Sequence, residues 1–435
     1  MSGGTEQAPV DSVETATSPE GWRNPKGWRS PMFVATVDIA EPIADLKCVR
    51  SLEPSYTGAW ILVCDSGYPV GCVEVPVDGD VVSAAKIMQA VRSQIGSPAA
   101  DSRPAPVAAL PRISVVIPTN LARPDQLQRV LGNLAELDYP DYEVIIVDNR
   151  RGGPVPAFPG VRVVREPVPG ISAARNRGVD VATGEIIAFT DDDVLVDRRW
   201  LRAIGERFAR EPDLAAVSGV VVPLELETPA QVMFEQFGMG LDRGLAPLTF
   251  ERSGRFQVVR RAPGTGSARV GSLYEMGEFG QGSNMSFRAD ALRARGGFDE
   301  ALGTGTPTHG GEDLTMLVEL LMTGHRLAYE PGAIIHHSHR ETMEELERQL
   351  HGYGIGFTAM LTGLAIRNPW HFVGLAGVIP AYLRTLRHPA EGKQSNRPDD
   401  YPQSLSRAEL RGMLGGPAAY LRSCWIHRRR LRWSW

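Results

Sequence analysis

Two acidic clusters in this chain have residue types and spacing that could do chemistry. The first is Asp191, Asp192 and Asp193, which close the apolar run in "GEIIAFTDDDVLVD", residues 184–197. Three adjacent carboxylates repel one another, and a divalent cation relieves that repulsion. Hard cations take oxygen ligands, and Mg²⁺ typically uses one or two carboxylates together with substrate phosphates. An ordinary turn or helix cap, where Asp is common, is the alternative. The second cluster is Glu312 and Asp313, just ahead of "LTMLVELLMTG", in which Leu314, Leu317, Val318 and Leu321 recur at helical spacing. Acidic residues at a helix start complement its dipole. One such carboxylate within hydrogen-bond reach of a substrate hydroxyl serves equally as a general base.

Positioning these groups falls to a run of alternating strands and helices. "ISVVIP" is followed by "PDQLQRVLGNLAEL", with Leu127, Val130, Leu131, Leu134 and Leu137 on one face. Then come "EVIIVD", "VRVVR", the helical "SAARNRGVDVA" and "EIIAFT". Continuous β-branched runs between amphipathic helices predict a mainly parallel sheet covered on both faces. Ligands of such sheets bind at the carboxyl ends of the strands, where Asp148 and Asp191 to Asp193 fall. "GQGSNMSFR" (280–288) carries glycines that permit close approach of the backbone to a ligand. Its Asn284 and Ser286 offer hydrogen bonds to hydroxyl groups, and a plain turn before a strand is the alternative. "GTGTPTHGG" (303–311) reads as a mobile lid ahead of the second acidic pair.

The remainder of the chain sets bounds. With 435 residues, 43% hydrophobic and 22% charged, the composition is globular rather than disordered or fibrous. A net charge of −5 gives no general reason to expect nucleic acid. The four cysteines show no metal-ligand or CxxC spacing and read as reduced thiols. Residues 1–28 are Gly, Ser, Thr, Glu and Pro-rich without periodicity, the composition of a disordered segment. They lack the basic and apolar regions of a secretory signal, so a cytoplasmic protein is expected. Residues 29–95 hold strand-like runs and one helix, a small α+β module of unassigned role, and 96–111 is a Pro/Ala-rich linker.

The ordered set "SVVIPT", "IIVDN", "ARNRGVDVATGEIIAFTDDD", "GSNMSFRADALRARGGFDE", "GEDL" and "EPGAIIHH" resembles the family 2 glycosyltransferases over roughly residues 112–345. The resemblance implies a GT-A fold, a Rossmann-like α/β catalytic domain with a nucleotide-binding half (112–225) and an acceptor half (226–345). The helical region 346–435 follows. It also implies a metal-dependent, inverting transfer of a sugar from a nucleoside-diphosphate sugar, UDP or dTDP favoured, to an acceptor hydroxyl in glycan or glycoconjugate synthesis. Asp148 matches the acid that takes the imide N–H of the base, and Pro118 and Thr119 match the strand tip lining it. Asp191 and Asp193 match the DxD, with Asp193 the metal ligand and Asp192 near the ribose or phosphate. Arg175 is matched to a phosphate contact and Asn284 to the donor. His337 matches the histidine that completes the site for Mn²⁺ or Mg²⁺, with His336 and His339 as competitors. Asp313, supported by Glu312, matches the general base.

Processive members carry QxxRW and transmembrane helices, whereas here "ERQLHGYGIGFTAML" has no RW after Gln349, so a non-processive enzyme is expected. "WHFVGLAGVIPAYL" is shorter than the roughly 18 to 20 residues that span a bilayer. The tail "YLRSCWIHRRRLRWSW" interleaves Arg with Trp, a pattern suited to an anionic membrane surface, so peripheral contact with the inner membrane face and a glycan, lipid-linked or small-molecule acceptor are expected. A solvated basic tail is the alternative. Competing functions are a haloacid-dehalogenase-like phosphatase, which uses a similar strand-end DxD, a sugar nucleotidyltransferase, and a tailoring glycosyltransferase acting on a small natural product.

Overall fold

The structure, a computed structural model, describes residues 30–51, 55–96, 107, 109–236, 244–262, 268–274, 277, 279–376 and 402–427. The 1–28 segment, most of the 96–111 linker and the last arginines and tryptophans of the tail lie outside the described residues.

The chain opens with β1 (Met32–Asp38), β2 (Leu46–Lys47), β3 (Gly58–Asp65), β4 (Tyr68–Pro76), β5 (Val81–Val82) and α1 (Ala84–Ala90). β3 lies between β1, to which it is parallel, and β4, to which it is antiparallel. Side chains alternate across a strand, and here both faces are apolar. Ala59, Ile61, Val63, Val73 and Val75 pack with Ile87 of α1. Trp60, Leu62, Cys64 and Cys72 instead join the main core of the molecule. Arg50 and Tyr56 both bind Glu227, and the Arg199 guanidinium donates to the Ser66 carbonyl at 2.6 Å. The module is therefore docked on the large sheet, with apolar burial as the main attraction.

That sheet is built from β6 (Ile113–Thr119), β7 (Tyr142–Asp148), β8 (Arg162–Arg165), β9 (Ile186–Phe189), β10 (Val194–Val196), β11 (Leu214–Pro223), β12 (Leu248–Arg252), β13 (Gln257–Arg261), β14 (Ala268–Ser272), β15 (Met285–Arg288) and β16 (Arg326–His337). The order is β14-β13-β12-β16-β11-β15-β9-β6-β7-β8, and β10 pairs with β16. β9, β6, β7 and β8 are mutually parallel, as are β11 and β16, and β15 runs antiparallel between the two groups. Helices α2 (Pro124–Leu134), α3 (Ile171–Val181), α4 (Trp200–Arg210), α5 (Pro229–Gln236), α6 (Ala289–Ala294) and α7 (Glu312–Met322) connect the strands. Leu127, Val130 and Leu134 of α2 are buried, as the periodicity predicts, and Leu137 packs just beyond the helix end. The fold is thus the expected mixed α/β arrangement about a large, mainly parallel sheet.

α8 (Met343–Arg367) and α9 (Gln403–Ile426) follow the sheet and pack side by side. Their approach is close enough that a Cβ on Gly354, Gly412 or Gly416 would strike the backbone of the other helix. Arg367 bridges Asp299 and Glu319, and the Tyr420 hydroxyl donates to Asp299 at 3.0 Å, fixing the pair to the sheet domain.

Candidate active site

The three aspartates occupy the turn between β9 and β10. Antiparallel pairing sets Val194 of β10 opposite His337 at the end of β16, which brings the imidazole to the aspartates. One donor atom each from Asp191, Asp193 and His337 lies within 4.8 Å of the others. His337 Nε2 is 3.7 Å from Asp193 Oδ1. Two carboxylates and an imidazole suit a divalent cation. Of the competing histidines, His336 pairs opposite Leu195, and strand alternation sends it to the other face from His337. His339 is buried and bound to Glu235.

The cluster is short of positive charge. Arg123 approaches Asp193 at 3.7 Å and Arg175 approaches Asp191 at 3.8 Å. Burial, opposed by Arg175 and reinforced by Asp193 and Asp192, pushes the Asp191 carboxyl up to about 7. Asp192 is also raised by burial, against a hydrogen bond from Thr119. Burial lowers His337 to about 4, so the ring is neutral and free to act as a ligand near neutrality.

Arg175 links this cluster to the second acidic pair. It is 1% exposed, donates to Glu312 at 2.7 Å and to the Gly282 carbonyl at 3.1 Å, and lies against the rings of Phe189 and Phe298. Its guanidinium is an internal brace with little surface left for a phosphate. Glu312 is buried, and burial together with the neighbouring Asp313 raises its pKa. Asp313 is the more open of the two, at the start of α7. A Cβ on Gly282 would lie 3.0 Å from Arg175 and 3.1 Å from the Asp313 carboxylate, so a bare glycine keeps that passage clear.

At the far end of β7, Asp148 is completely buried. Its Oδ1 accepts from the Arg150 backbone N–H at 3.1 Å and from Nε at 2.9 Å. Its Oδ2 accepts from Arg150 Nη2 at 3.0 Å and from Arg165 at 2.6 Å. Burial works to raise the pKa, but the hydrogen bonds from Arg150 and Arg165 prevail and hold the carboxyl below its usual range. A carboxylate has about four acceptor sites, and all are taken. Sequence reasoning missed both arginines. Arg150 stands two residues on, and the parallel register sets Arg165 directly beside Asp148.

Two expectations need correction. Asn284 does not present its amide to a donor sugar. Its Nδ2 donates to the Val220 and Ala333 carbonyls, both at 2.8 Å, and its oxygen accepts from the Trp200 indole at 2.9 Å. These bonds span the register shift between β11 and β16, where Gly219 has no room for a side chain. Nor is 303–311 a loose lid. The Thr308 hydroxyl is buried and receives the Gly303 N–H at 3.1 Å, the Thr306 hydroxyl donates to the Gly303 carbonyl at 2.8 Å, and the Thr304 carbonyl receives the Ile171 N–H at 2.9 Å. Threonine hydroxyls close the local turns, and the Thr304 backbone carbonyl ties the loop to the start of α3. Pro118 and Thr119 end β6 and are buried, with Pro118 paired to Val147.

Residues 114–263, which include Asp148 and the aspartate triplet, match the family model described as glycosyl transferase family 2. Over that stretch the chain is similar to the family 2 glycosyltransferases. It is 30% identical over 265 residues to the pre-mycofactocin glycosyltransferase of Mycobacterium tuberculosis, covering 59% of this chain and 48% of that one. It is 26% identical over 182 residues to the glucosyl-dolichyl phosphate glucuronosyltransferase of Haloferax volcanii, covering 41% and 50%. The chain spans about half the length of the curated relatives it matches. Among solved structures, a mannosyltransferase from Pyrobaculum calidifontis in complex with GDP-Man and Mn²⁺ is similar at 19% identity and a TM-score of 0.44, over 73% of this chain and 89% of that one.

Proposed function

We propose that this chain is a metal-dependent, inverting, non-processive glycosyltransferase that moves a sugar from a nucleoside-diphosphate sugar to an acceptor hydroxyl. The observation that carries the reading is the convergence of Asp191, Asp193 and His337, joined through Arg175 to the Glu312–Asp313 pair. Asp191, Asp193 and His337 would hold Mn²⁺ or Mg²⁺, which when bound offsets the charge of the diphosphate. Asp313 takes the proton of the acceptor hydroxyl while that oxygen attacks the anomeric carbon. The bond from that carbon to the diphosphate breaks, and its electron pair leaves with the diphosphate oxygen. One displacement inverts the centre. Glu312, anchored on Arg175, sets the start of α7 and so the reach of Asp313. Thr119 and Pro118 line the base and Asp192 faces the ribose or phosphate. UDP and dTDP are the favoured carriers on the likeness of Asp148 to a base-reading acid, which requires one arginine to yield to the imide N–H.

An acceptor presented at a membrane surface is favoured by one observation. No helix among the described residues is long and apolar enough to cross a membrane. The outer face of α9 nonetheless exposes Leu414 (86%), Leu421 and Trp425, with Arg407, Arg411 and Arg422 also exposed on that helix. Apolar and cationic side chains mixed on one surface suit an anionic bilayer. The full chain should co-sediment with vesicles rich in anionic lipid and lose that binding in L414S/W425S. Equal sedimentation with neutral vesicles would count against it.

The test of the enzyme itself is a calorimetric titration with UDP, dTDP, GDP and CDP, each with and without Mn²⁺. Metal-dependent binding of one nucleotide, lost in Asp193→Ala, is expected. Binding that ignores both the metal and the substitution would sink the site.

A further inference from the structure

We propose that Glu235 and His339 are positioning residues for the metal site, forming with His337 a hydrogen-bonded relay that leaves the His337 Nε2 lone pair facing Asp193. This rests on the reading of Asp191, Asp193 and His337 as metal ligands. His339 is 5% exposed, and its Nε2 lies 2.5 Å from Glu235 Oε1. An ionised carboxylate only accepts, so Nε2 carries the proton of that contact. An imidazole with a single proton then has a bare Nδ1. That atom is 3.4 Å from His337 Nδ1. A His337 that ligates through Nε2 carries its proton on Nδ1 and donates it across this contact, with His339 accepting. With its proton on Nδ1, His337 keeps Nε2 as an acceptor, and Nε2 is the atom 3.7 Å from Asp193.

The surroundings hold this arrangement in place. The Phe234 ring packs 4.5 Å from that of His339. Glu235, on the same turn of α5, is itself buried. The Ser338 hydroxyl, between the two histidines, donates to Glu225 at 2.6 Å and fixes the turn that carries them. Histidine ligands of metals are commonly oriented by a carboxylate on the second ring nitrogen. Here the carboxylate acts one ring further out, from a helix that lies about a hundred residues earlier in the chain than His337.

The experiment uses the full chain. Free Mn²⁺ is followed by electron paramagnetic resonance during titration of wild type, E235Q and the double variant E235L/H339F, in which the buried carboxylate and ring are replaced together by apolar groups. Mn²⁺ affinity should fall about 10- to 100-fold in the double variant and less in E235Q, the range typical of lost outer-shell partners. Wild type that binds no Mn²⁺ overturns the site reading and the relay's purpose with it. Wild type that binds while a folded double variant binds within about twofold of it overturns the relay alone. The second measurement needs no variant to retain affinity. ¹⁵N chemical shifts of histidine in metal-free wild type, with His337 assigned through H337N, should report a protonated Nδ1 and a bare Nε2. The reverse tautomer overturns the proposal whatever the titration gives.

Discussion

Asp148 and the Asp191–Asp193 turn end the two strands that flank β6 in one sheet, yet they are provided for in opposite ways. Asp148 is closed: two arginines fill every acceptor site it has and hold it ionised. The aspartate turn is open: three carboxylates share two arginines that come no nearer than 3.7 Å, and burial drives Asp191 up to about 7. A folded protein rarely leaves buried charge uncompensated without a reason. The chain balances Asp148 with its own side chains and leaves the aspartate turn short of such balance, which supports the proposed metal site.

The largest effects should come from the open end. Asp313→Asn should retain nucleotide binding while transfer falls by about 10²- to 10⁴-fold, the span of a lost general base. Single-turnover rates with the donor found by calorimetry would measure it, and unchanged turnover would remove Asp313 from the chemistry. Asp193→Ala should abolish the metal-dependent part of nucleotide binding in the same titration.

Stability should separate the two ends by sign. Asp148→Asn strips the charge from a buried, doubly paired carboxylate and should cost about 2 to 3 kcal/mol, since breaking buried pairs is costly and both arginines here retain some contact with water. Asp191→Asn removes repulsion instead. With a folded pKa raised to about 7, the aspartate is stabilising in its protonated form, and that contribution is lost as pH rises through 7. The asparagine should therefore be more stable than wild type at pH 8, by about 1 kcal/mol given solvent screening, and no more stable at pH 4. Adding Mn²⁺ should reverse the order at pH 8. Denaturant melts at the two pH values decide this, and a loss of stability in Asp191→Asn without metal would break the comparison.

The open end was far more legible in the sequence than the closed one. A triplet of aspartates after an apolar run announces itself, and "EPGAIIHH" placed His337 within the same ordered set. The compensation around Asp148 depends on the parallel register of β7 with β8, which sets Arg165 beside Asp148 across 17 residues of chain. No periodicity encodes that. Asn284 was misread because a polar residue in a glycine-rich stretch looks the same whether it meets a ligand or a carbonyl in a strand bulge. The lid was misread because glycine content signals freedom, while the threonines between the glycines tie the loop down. Glu235 gave no signal, since the hydrogen bond that uses it joins residues 104 apart.

Glu74 supplies the smallest test and the control for the other two. It lies on β4 in the N-terminal module, away from the acidic turn, and its Oε1 is buried with no hydrogen-bond partner. Burial alone raises it to about 8. Between about 4.5 and 8 the folded chain binds a proton here that the unfolded chain has released, so stability falls as pH rises across that window. Glu74→Gln removes the group that titrates. The variant should match wild type below pH 4.5 and melt a few degrees higher above pH 8. Mn²⁺ should leave that difference unchanged, because among the described residues Glu74 belongs to no group of three donors that could hold an ion. A metal response in Glu74→Gln as large as in Asp191→Asn would mean that a buried carboxylate as such, rather than the convergence of three donors, governs the response. The open end would then lose its claim to be a binding site.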